Sequence, residues 1–480
     1  MSHEKPAIHW VTDHSPAAGE AMFAATRALC NLCGQLCDAK IVFDQGRVLL
    51  VKWCLEHGRS SALISSDVQW YVDSMAYIKP GTVPLHREVG EYKGCPDSCG
   101  LCSRHQQHTC MPILELTAAC DMKCPICLVG DTPAQLTLDN AKRALDTLVR
   151  CEGQLNMLNV SGGEPTMHPD FLEIVRAAGR PEIGVISVST NGLHLSQNEA
   201  LLRELIERKV VISLQFDGVE DRTYQLLRGE DSMAAMKLRL IDQIEALGGR
   251  TSLTMTLARG VNEHEIPAVL DLLFERHSIL SVMVQPLALA GRAAERVERD
   301  VLDAVTIPEV VDRLVAGSKG VLQRRDFSPL PCSHPSCFAL TYLLKTEHRL
   351  VPLPSLLDAG NYLDIIKNEA LFGTDMDSLI RIKDALYDIW SSDGVIPDRE
   401  SVLKSIKGIL LELNTLDCCS PHTELLDIGT RNIKSIFIHH FMDRATFDLT
   451  RVVKCCNHYP QADGRLLPAC VRNNLGSVVL

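Results

Sequence analysis

The stretch "CDMKCPICLVG" (residues 120–130) sets three cysteines, Cys120, Cys124 and Cys127, at the spacing C-x3-C-x2-C. It follows "PILELT" (112–117), a short segment that reads as a β-strand. A closed structural zinc site takes four protein ligands, and so does an iron–sulfur cluster held wholly by protein. Three thiols on one loop therefore mean that a fourth ligand lies elsewhere or that one metal position is left open.

Outward from that loop, strand and helix patterns alternate. "LTLDNAKRALDTLV" (136–149) places Leu138, Ala141, Leu145, Leu148 and Val149 on one helical face, with Thr137 as N-cap. Strand "LNMLNV" (155–160) precedes helix "DFLEIVRAAG" (170–179), and strand "IGVISVS" (183–189) precedes helix "SQNEALLRELIERK" (196–209). Strand "VVISLQF" (210–216) precedes helix "SMAAMKLRLIDQIEALG" (232–248). Strand "TSLTMTLA" (251–258), helix "EHEIPAVLDLLFERH" (263–277) and strand "LSVMVQ" (280–285) complete six βα-type repeats. Short, apolar, β-branched strands read as buried parallel strands, so the expected class is α/β, an open sheet or a partial barrel. In either case chemistry belongs at the C-terminal strand ends. Unusual residues gather there: the triplet, then "SGGEPTMHPD" (161–170), "TNG" (190–192), "DG" (217–218) and Gln285.

The bulk numbers narrow the function. A chain of 480 residues with 46 % hydrophobic content supports a large core and two or three domains. A formal net charge of −12 argues against a nucleic-acid partner, since phosphate binding wants basic patches. No apolar run is long enough for a transmembrane segment, and "ILSVMVQPLALAG" (279–291) is interrupted by Gln285 and Pro286. The start "MSHEKPAIHW" carries no signal-peptide pattern, so a cytoplasmic location is expected. In a reducing compartment, nineteen cysteines read as metal ligands or catalytic groups rather than disulfides. They cluster as Cys30, Cys33, Cys37 and Cys54; as Cys95, Cys99, Cys102 and Cys110; as the triplet; and as Cys332 and Cys337 with Cys455, Cys456 and Cys470. Cys151, Cys418 and Cys419 are expected to be buried, and His439 and His440 to be packing residues.

Three thiolates on a short loop can hold three corners of a cubane and leave its fourth iron to a ligand bearing an amine and a carboxylate. Gly162 and Gly163 would let backbone approach such a ligand, and Glu164 would accept from its ammonium. Ser189, Asn191, Gln215 and Asp217 are candidates for its hydroxyls or charged ends, although Asn and Asp also serve turns alone. Arg228 would meet a carboxylate or form a surface ion pair.

These residues resemble the radical S-adenosylmethionine (SAM) superfamily: Cys120, Cys124 and Cys127 match its cluster loop, and Gly162-Gly163-Glu164-Pro165 matches its SAM-binding motif. The resemblance implies a partial (β/α)6 barrel and a [4Fe-4S] cluster with one open iron. It also implies reductive cleavage of SAM to a 5′-deoxyadenosyl radical that abstracts hydrogen from an unactivated C–H bond. The cofactors carry that chemistry and the protein orients them. A reducing electron donor of the flavodoxin or ferredoxin type is the implied partner.

The flanking stretches 30–58, 94–110, 331–344 and 454–470 look like one subfamily, which contains the tetraether lipid synthase and a pterin-modifying radical SAM methyltransferase. The pattern along the chain sets the six repeats at 112–290 as a core between cysteine-rich regions at 1–111 and 291–480, the C-terminal one helical. The likeness implies auxiliary [4Fe-4S] clusters on Cys95, Cys99, Cys102 and Cys110 and on Cys332, Cys337, Cys470 and one of Cys455 or Cys456. A mononuclear iron or zinc site would use Cys30, Cys33 and Cys54, completed by Cys37 or His57. The leading expectation is carbon–carbon bond formation on a lipid chain, with peripheral membrane contact. Methyl transfer to a pterin-type small molecule is the alternative, and a non-catalytic iron–sulfur carrier or a zinc-stabilised binding module are the rivals from other classes. No D-x-H-x-x-G cobalamin pattern is found.

Overall fold

The computed structural model describes residues 21–87, 94–96, 99–129, 135–297, 300–357, 359–366, 376–391, 396, 398–416 and 422–475. Cys418 and Cys419 lie outside them. The chain begins with a four-stranded antiparallel meander, β1 (Ala21–Leu29), β2 (Leu36–Asp44), β3 (Arg47–Cys54) and β4 (Gly58–Ser65). Gln45 and Gly46, both at positive φ, make the two-residue turn between β2 and β3, as the twist of a hairpin requires.

The six expected parallel strands form as β5 (Met111–Glu115), β6 (Leu155–Ser161), β7 (Ile183–Thr190), β8 (Val211–Gln215), β9 (Arg250–Leu257) and β10 (Ile279–Pro286), side by side in chain order. The segment after 290, expected to be helical, also lengthens this sheet at both edges. Beside β10 lie β13 (Ile433–His439), parallel, then β11 (Phe338–Lys345), antiparallel, and β12 (Leu350–Pro352). Beside β5 lie β14 (Asn457–Pro460), parallel, and β15 (Leu466–Pro468). The result is one eleven-stranded sheet. Among the described residues no helix is long and apolar enough to cross a membrane.

The strands were expected to be apolar on both faces, and they are not. Leu158, Val188, Ile212, Leu253, Met255 and Val282 pack outward against Leu145, Ile174, Leu205, Ile241 and Leu270 of the covering helices. The alternate residues Asn159, Ser187, Ser189, Ser213, Ser252, Thr254 and Ser281 face inward onto a cavity. A strand shows period-2 polarity wherever its second face meets polar space instead of core.

Thr137 caps helix Leu138–Glu152 as expected, its hydroxyl accepting from Asn140 N at 3.2 Å. The helix expected over 196–209 is split at Asn198, whose side chain accepts from Leu201 N and caps a new start. Helix Asp221–Arg228 is additional. Helices Met376–Ser391, Arg399–Leu413 and His422–Asn432 pack through Leu386, Ile389, Ile406, Leu413 and Leu425 against Leu340, Tyr342 and Leu344 of β11.

The C-terminal helix Ala469–Leu475 docks on β5 through a buried ion pair, Arg472 Nη2 to Glu115 Oε2 at 2.5 Å. The Arg472 guanidinium also lies over the Tyr459 ring. Losing one partner of a buried pair strands the other charge. Arg472→Met should lower the unfolding free energy by about 3 kcal/mol, and pairing it with Glu115→Met should restore most of that, both read from urea denaturation followed by circular dichroism.

Candidate active site

The sheet encloses a cavity of about 500 Å³. Cys120, Cys124 and Cys127 line it from the loop that follows β5, together with Gly162, Gly163, Ser189, Asn191, Gln215 and Gln285 from the other strand ends and Arg228 from the end of helix Asp221–Arg228. The opposite wall is apolar and comes from the C-terminal region, with Leu344, Leu386, Ile389, Leu413 and Leu425 among its residues. One cavity thus joins the cysteine triplet, a hydroxyl-bearing sheet face and an aliphatic chamber.

The glycines act on the cysteine loop itself. A Cβ on Gly163 would sit 2.3 Å from Ala119 O, and one on Gly162, at φ +150, would sit 2.5 Å from Thr117 O. Their absence lets Gly163 N bond Thr117 O at 2.6 Å and Glu164 N bond Ala119 O at 2.8 Å. The backbone approach expected toward a ligand is therefore also an approach of β6 to the triplet's own loop.

Glu164 is fully buried beneath this contact and does not line the cavity, nor does Pro165, which opens a short 3-10 turn. Glu164 Oε1 accepts from Thr166 N, Thr166 Oγ1 and Thr190 Oγ1, and Oε2 accepts from Asn191 N at 2.9 Å. Burial raises its pKa while these donors oppose the rise. The carboxylate anchors the loop after β7. There Asn191 Nδ2 donates to Asp121 Oδ1 at 2.6 Å and reaches Cys120 Sγ at 3.9 Å. Ser189 Oγ donates to Asn159 Oδ1 at 3.0 Å.

Asp217, expected at the ligand, is wholly buried and off the cavity wall. It holds Arg228 instead of facing a ligand: Nε donates to Oδ2 at 2.6 Å and Nη2 to Oδ1 at 2.9 Å. The fork matches a carboxylate in geometry and charge, which explains why Arg228 is neither on the surface nor free to seek another carboxylate. Arg228 is also hydrogen-bonded with Cys124, and its charge opposes the rise that burial imposes on that thiol. Burial pushes the Cys120 thiol up to about 12. These thiols become thiolates when a metal takes the proton's place, so the donor set suits a metal cluster with thiolate corners.

Sequence reading missed Lys237. It is fully buried on helix Met233–Ala246, with Nζ 2.6 Å from Asn191 O, 2.7 Å from Gln215 O and 2.9 Å from Gln215 Oε1. Burial pulls its pKa down to about 7, while three acceptors hold the ammonium protons. The signal available was a lysine at a helical position otherwise facing the core. His439 is buried as expected, stacked on Phe338 with centroids 4.1 Å apart, and it also lines the cavity.

The other cysteines divide differently from the expected sets. In the meander, Cys30, Cys33, Cys54 and His57 place their donor atoms within 4.8 Å of one another. Cys33 Sγ is 3.8 Å from Cys54 Sγ, and His57 Nδ1 is 3.7 Å from Cys30 Sγ and 3.6 Å from Cys54 Sγ. A tetrahedral ion with bonds of about 2.3 Å needs donor separations of about 3.8 Å, so this set fits a single ion. Cys37 points away, donating to Ala28 O at 3.5 Å.

Cys110 leaves the expected set of Cys95, Cys99 and Cys102, which stay together around Cys99. It is hydrogen-bonded instead with Cys332 and Cys456. The cause is sheet register: β14 pairs with β5, and Cys110 N donates to Cys456 O at 2.9 Å. The second expected set also splits. Cys332 joins Cys110 and Cys456, whereas Cys470 and Cys337 are within electrostatic reach of Cys455, adding to the rise that burial imposes on its thiol. Arg451 Nε donates to Cys337 Sγ at 3.4 Å. Both Cys455 and Cys456 thus meet other cysteines, where one of the two had been expected to.

Residues 114–273 match the Radical SAM superfamily, and residues 22–66 match the HMPTM N-terminal zinc ribbon domain. The 7,8-dihydro-6-hydroxymethylpterin dimethyltransferase of Methanocaldococcus jannaschii is 27 % identical over 94 % of this chain and 93 % of its own length. A probable GTP 3′,8-cyclase of Methanothermobacter thermautotrophicus is 26 % identical over 44 % of this chain and 70 % of that protein. Among solved structures, SuiB of Streptococcus suis bound to its precursor peptide SuiA aligns at a TM-score of 0.36, with 14 % identity over 41 % of this chain and 43 % of that one.

Two outcomes test the geometry. Gly163→Ala should displace the triplet's loop and lower iron and labile sulfide by about one cluster's content, measured after anaerobic reconstitution, with the circular dichroism of the sheet retained. Cys54→Ser should remove the metal of the meander while Cys37→Ser keeps it, measured by elemental analysis of the two purified variants.

Proposed function

We propose that the chain is a radical SAM enzyme, as the match of residues 114–273 to that superfamily supports, that Cys120, Cys124 and Cys127 hold a [4Fe-4S] cluster at the head of the cavity, and that SAM lies against the neighbouring strand ends. The observation that carries this reading is the gathering of three cysteines, Gly162 and Gly163, Ser189, Asn191, Gln215 and Arg228 on one cavity rim. When bound, cluster and SAM supply a hydrogen-abstracting agent through one-electron cleavage of SAM, the electron coming from an external donor.

The chain's own residues do the rest. Asn191 and Gln215 offer amides to the SAM hydroxyls and polar ends, with Ser189 beside them. Glu164 keeps one acceptor position on Oε2 beyond its bond from Asn191 N. Arg228, tied to Asp217, sets a fixed positive charge beside Cys124. The aliphatic wall excludes water from the space where hydrogen would be taken, which suppresses side reactions. Cys30, Cys33, Cys54 and His57 would hold one iron or zinc ion, and the cysteine groups around Cys99, Cys110 and Cys470 would hold auxiliary centres.

Methyl transfer to a pterin-type small molecule has the support of the dimethyltransferase relative, which matches over nearly the whole chain, and it takes precedence over the lipid coupling first expected. The hydroxyl-bearing sheet face suits a hydrogen-bonding ring system. One observation favours a second reading: the aliphatic half of the cavity suits a long hydrocarbon chain, whose C–H bond would be the one attacked.

Reduced, reconstituted protein given SAM should release 5′-deoxyadenosine, and Cys124→Ala should release none above background; full release by that variant would sink the triplet's role. Adding 7,8-dihydro-6-hydroxymethylpterin should raise the release several-fold and give a methylated pterin by mass spectrometry. Stimulation by dispersed long-chain lipid, with no effect of the pterin, would move the assignment to the second reading.

A further inference from the structure

Lys237 is fully buried behind the cavity rim, and its ammonium hydrogen-bonds Asn191 and Gln215 rather than a cysteine. Its ammonium bridges two loops: it donates to Asn191 O after β7 and to Gln215 O at the end of β8. Its third bond goes to Gln215 Oε1 at 2.9 Å. An ammonium can only donate, so the Gln215 carbonyl oxygen must face it, and the amide nitrogen must face the other way. On that other side stands Asp217, whose carboxylate accepts from Gln215 Nε2. Asp217 in turn accepts Thr256 N at 2.9 Å and the Arg228 fork, and Arg228 reaches Cys124. The Asn191 branch runs to Cys120 through Nδ2.

From this connectivity we infer that Lys237 is a positioning residue that, with Asp217, seats the Gln215 amide and sets the separation of the Asn191 and Gln215 loops, and thereby the SAM-binding edge of the cavity. The inference rests on the radical SAM reading above. Asp217 takes the amide nitrogen and Lys237 the amide oxygen, so the two together seat the Gln215 side chain; without Lys237 the oxygen and the backbone carbonyls of Asn191 and Gln215 lose the ammonium that joins them. Tyr224, whose ring lies 5.5 Å from Nζ and whose hydroxyl donates to Gly218 O, packs against the ammonium and offers it no acceptor of its own.

Lys237→Met keeps the length of the side chain and removes its donors. The test compares parent, Lys237→Met, Gln215→Met and the double variant, each reconstituted with iron and sulfide. SAM affinity is read by equilibrium dialysis, and the electron paramagnetic resonance of the reduced protein is recorded with and without SAM. Lys237→Met is expected to keep the parent's iron and sulfide content and its SAM-free spectrum, while binding SAM at least tenfold more weakly. Adding Gln215→Met to it should cost less than twofold more, because the ammonium that seats the Gln215 side chain is already gone and the two changes act through one contact. A folded, iron-replete Lys237→Met that binds SAM within twofold of the parent would overturn the inference, as would fully additive losses. If Lys237→Met does not accumulate, Lys237→Gln, a shorter side chain that keeps a donor but cannot bridge all three acceptors, carries the test: tenfold weaker binding supports the inference and unchanged binding overturns it. A parent protein that neither binds nor cleaves SAM overturns the radical SAM reading itself, a result distinct from any change between variants.

Discussion

Two backbone hydrogen bonds hold the site together: Gly163 N to Thr117 O and Glu164 N to Ala119 O. They seat the cysteine loop directly on the end of β6, at a separation that any side chain in place of the glycines would forbid. The same step in the chain buries Glu164, which ties down Thr190 and Asn191 of the next strand end. Local geometry at one pair of glycines thus orders three successive strand ends. The carboxylate stays buried because the chain itself supplies four donors to it.

Much of this was legible in the sequence. The six core strands and most of their helices follow from periodicity, and Thr137 follows from cap chemistry. The triplet and the glycines were visible because their spacing is unusual and their position is fixed by strand ends. Three things were not legible. Arg228 and Asp217 both looked ready for a ligand, yet they neutralise each other, since pairing across eleven residues depends on how helix Asp221–Arg228 returns over β8. Lys237 was hidden because lysine in a helix normally means solvent. The approach of Cys110 to Cys332 and Cys456 was not foreseen, because Cys110 had been grouped with its sequence neighbours Cys95, Cys99 and Cys102. The pairing of β5 with β14 carries Cys110 to Cys456, a register that no local pattern encodes.

The cavity has two characters because its walls come from different architectures. Parallel strands present alternate residues, so the inward set is free to carry hydroxyls while the outward set packs on helices. The facing wall is built from helices Met376–Ser391, Arg399–Leu413 and His422–Asn432, whose inward stripes are apolar as amphipathic helices require. A substrate seated here meets hydrogen-bonding groups on one side and hydrocarbon on the other. Orientation would come from the polar side, and tolerance in size and shape from the aliphatic side, where contacts carry little directional demand.

The placement of the metal-binding groups also bears on how the protein is made. The meander's set, Cys30 to His57, is complete once the first four strands have emerged, because every donor comes from one contiguous stretch. The group around Cys110 draws on Cys332 and Cys456, so it cannot exist until the chain has been synthesised past Cys456 and β14 has returned to β5. Any metal these groups take would therefore be loaded in stages set by translation: an ion on the meander's set could be captured on the ribosome, whereas the Cys110 group must wait until Cys456 has been made.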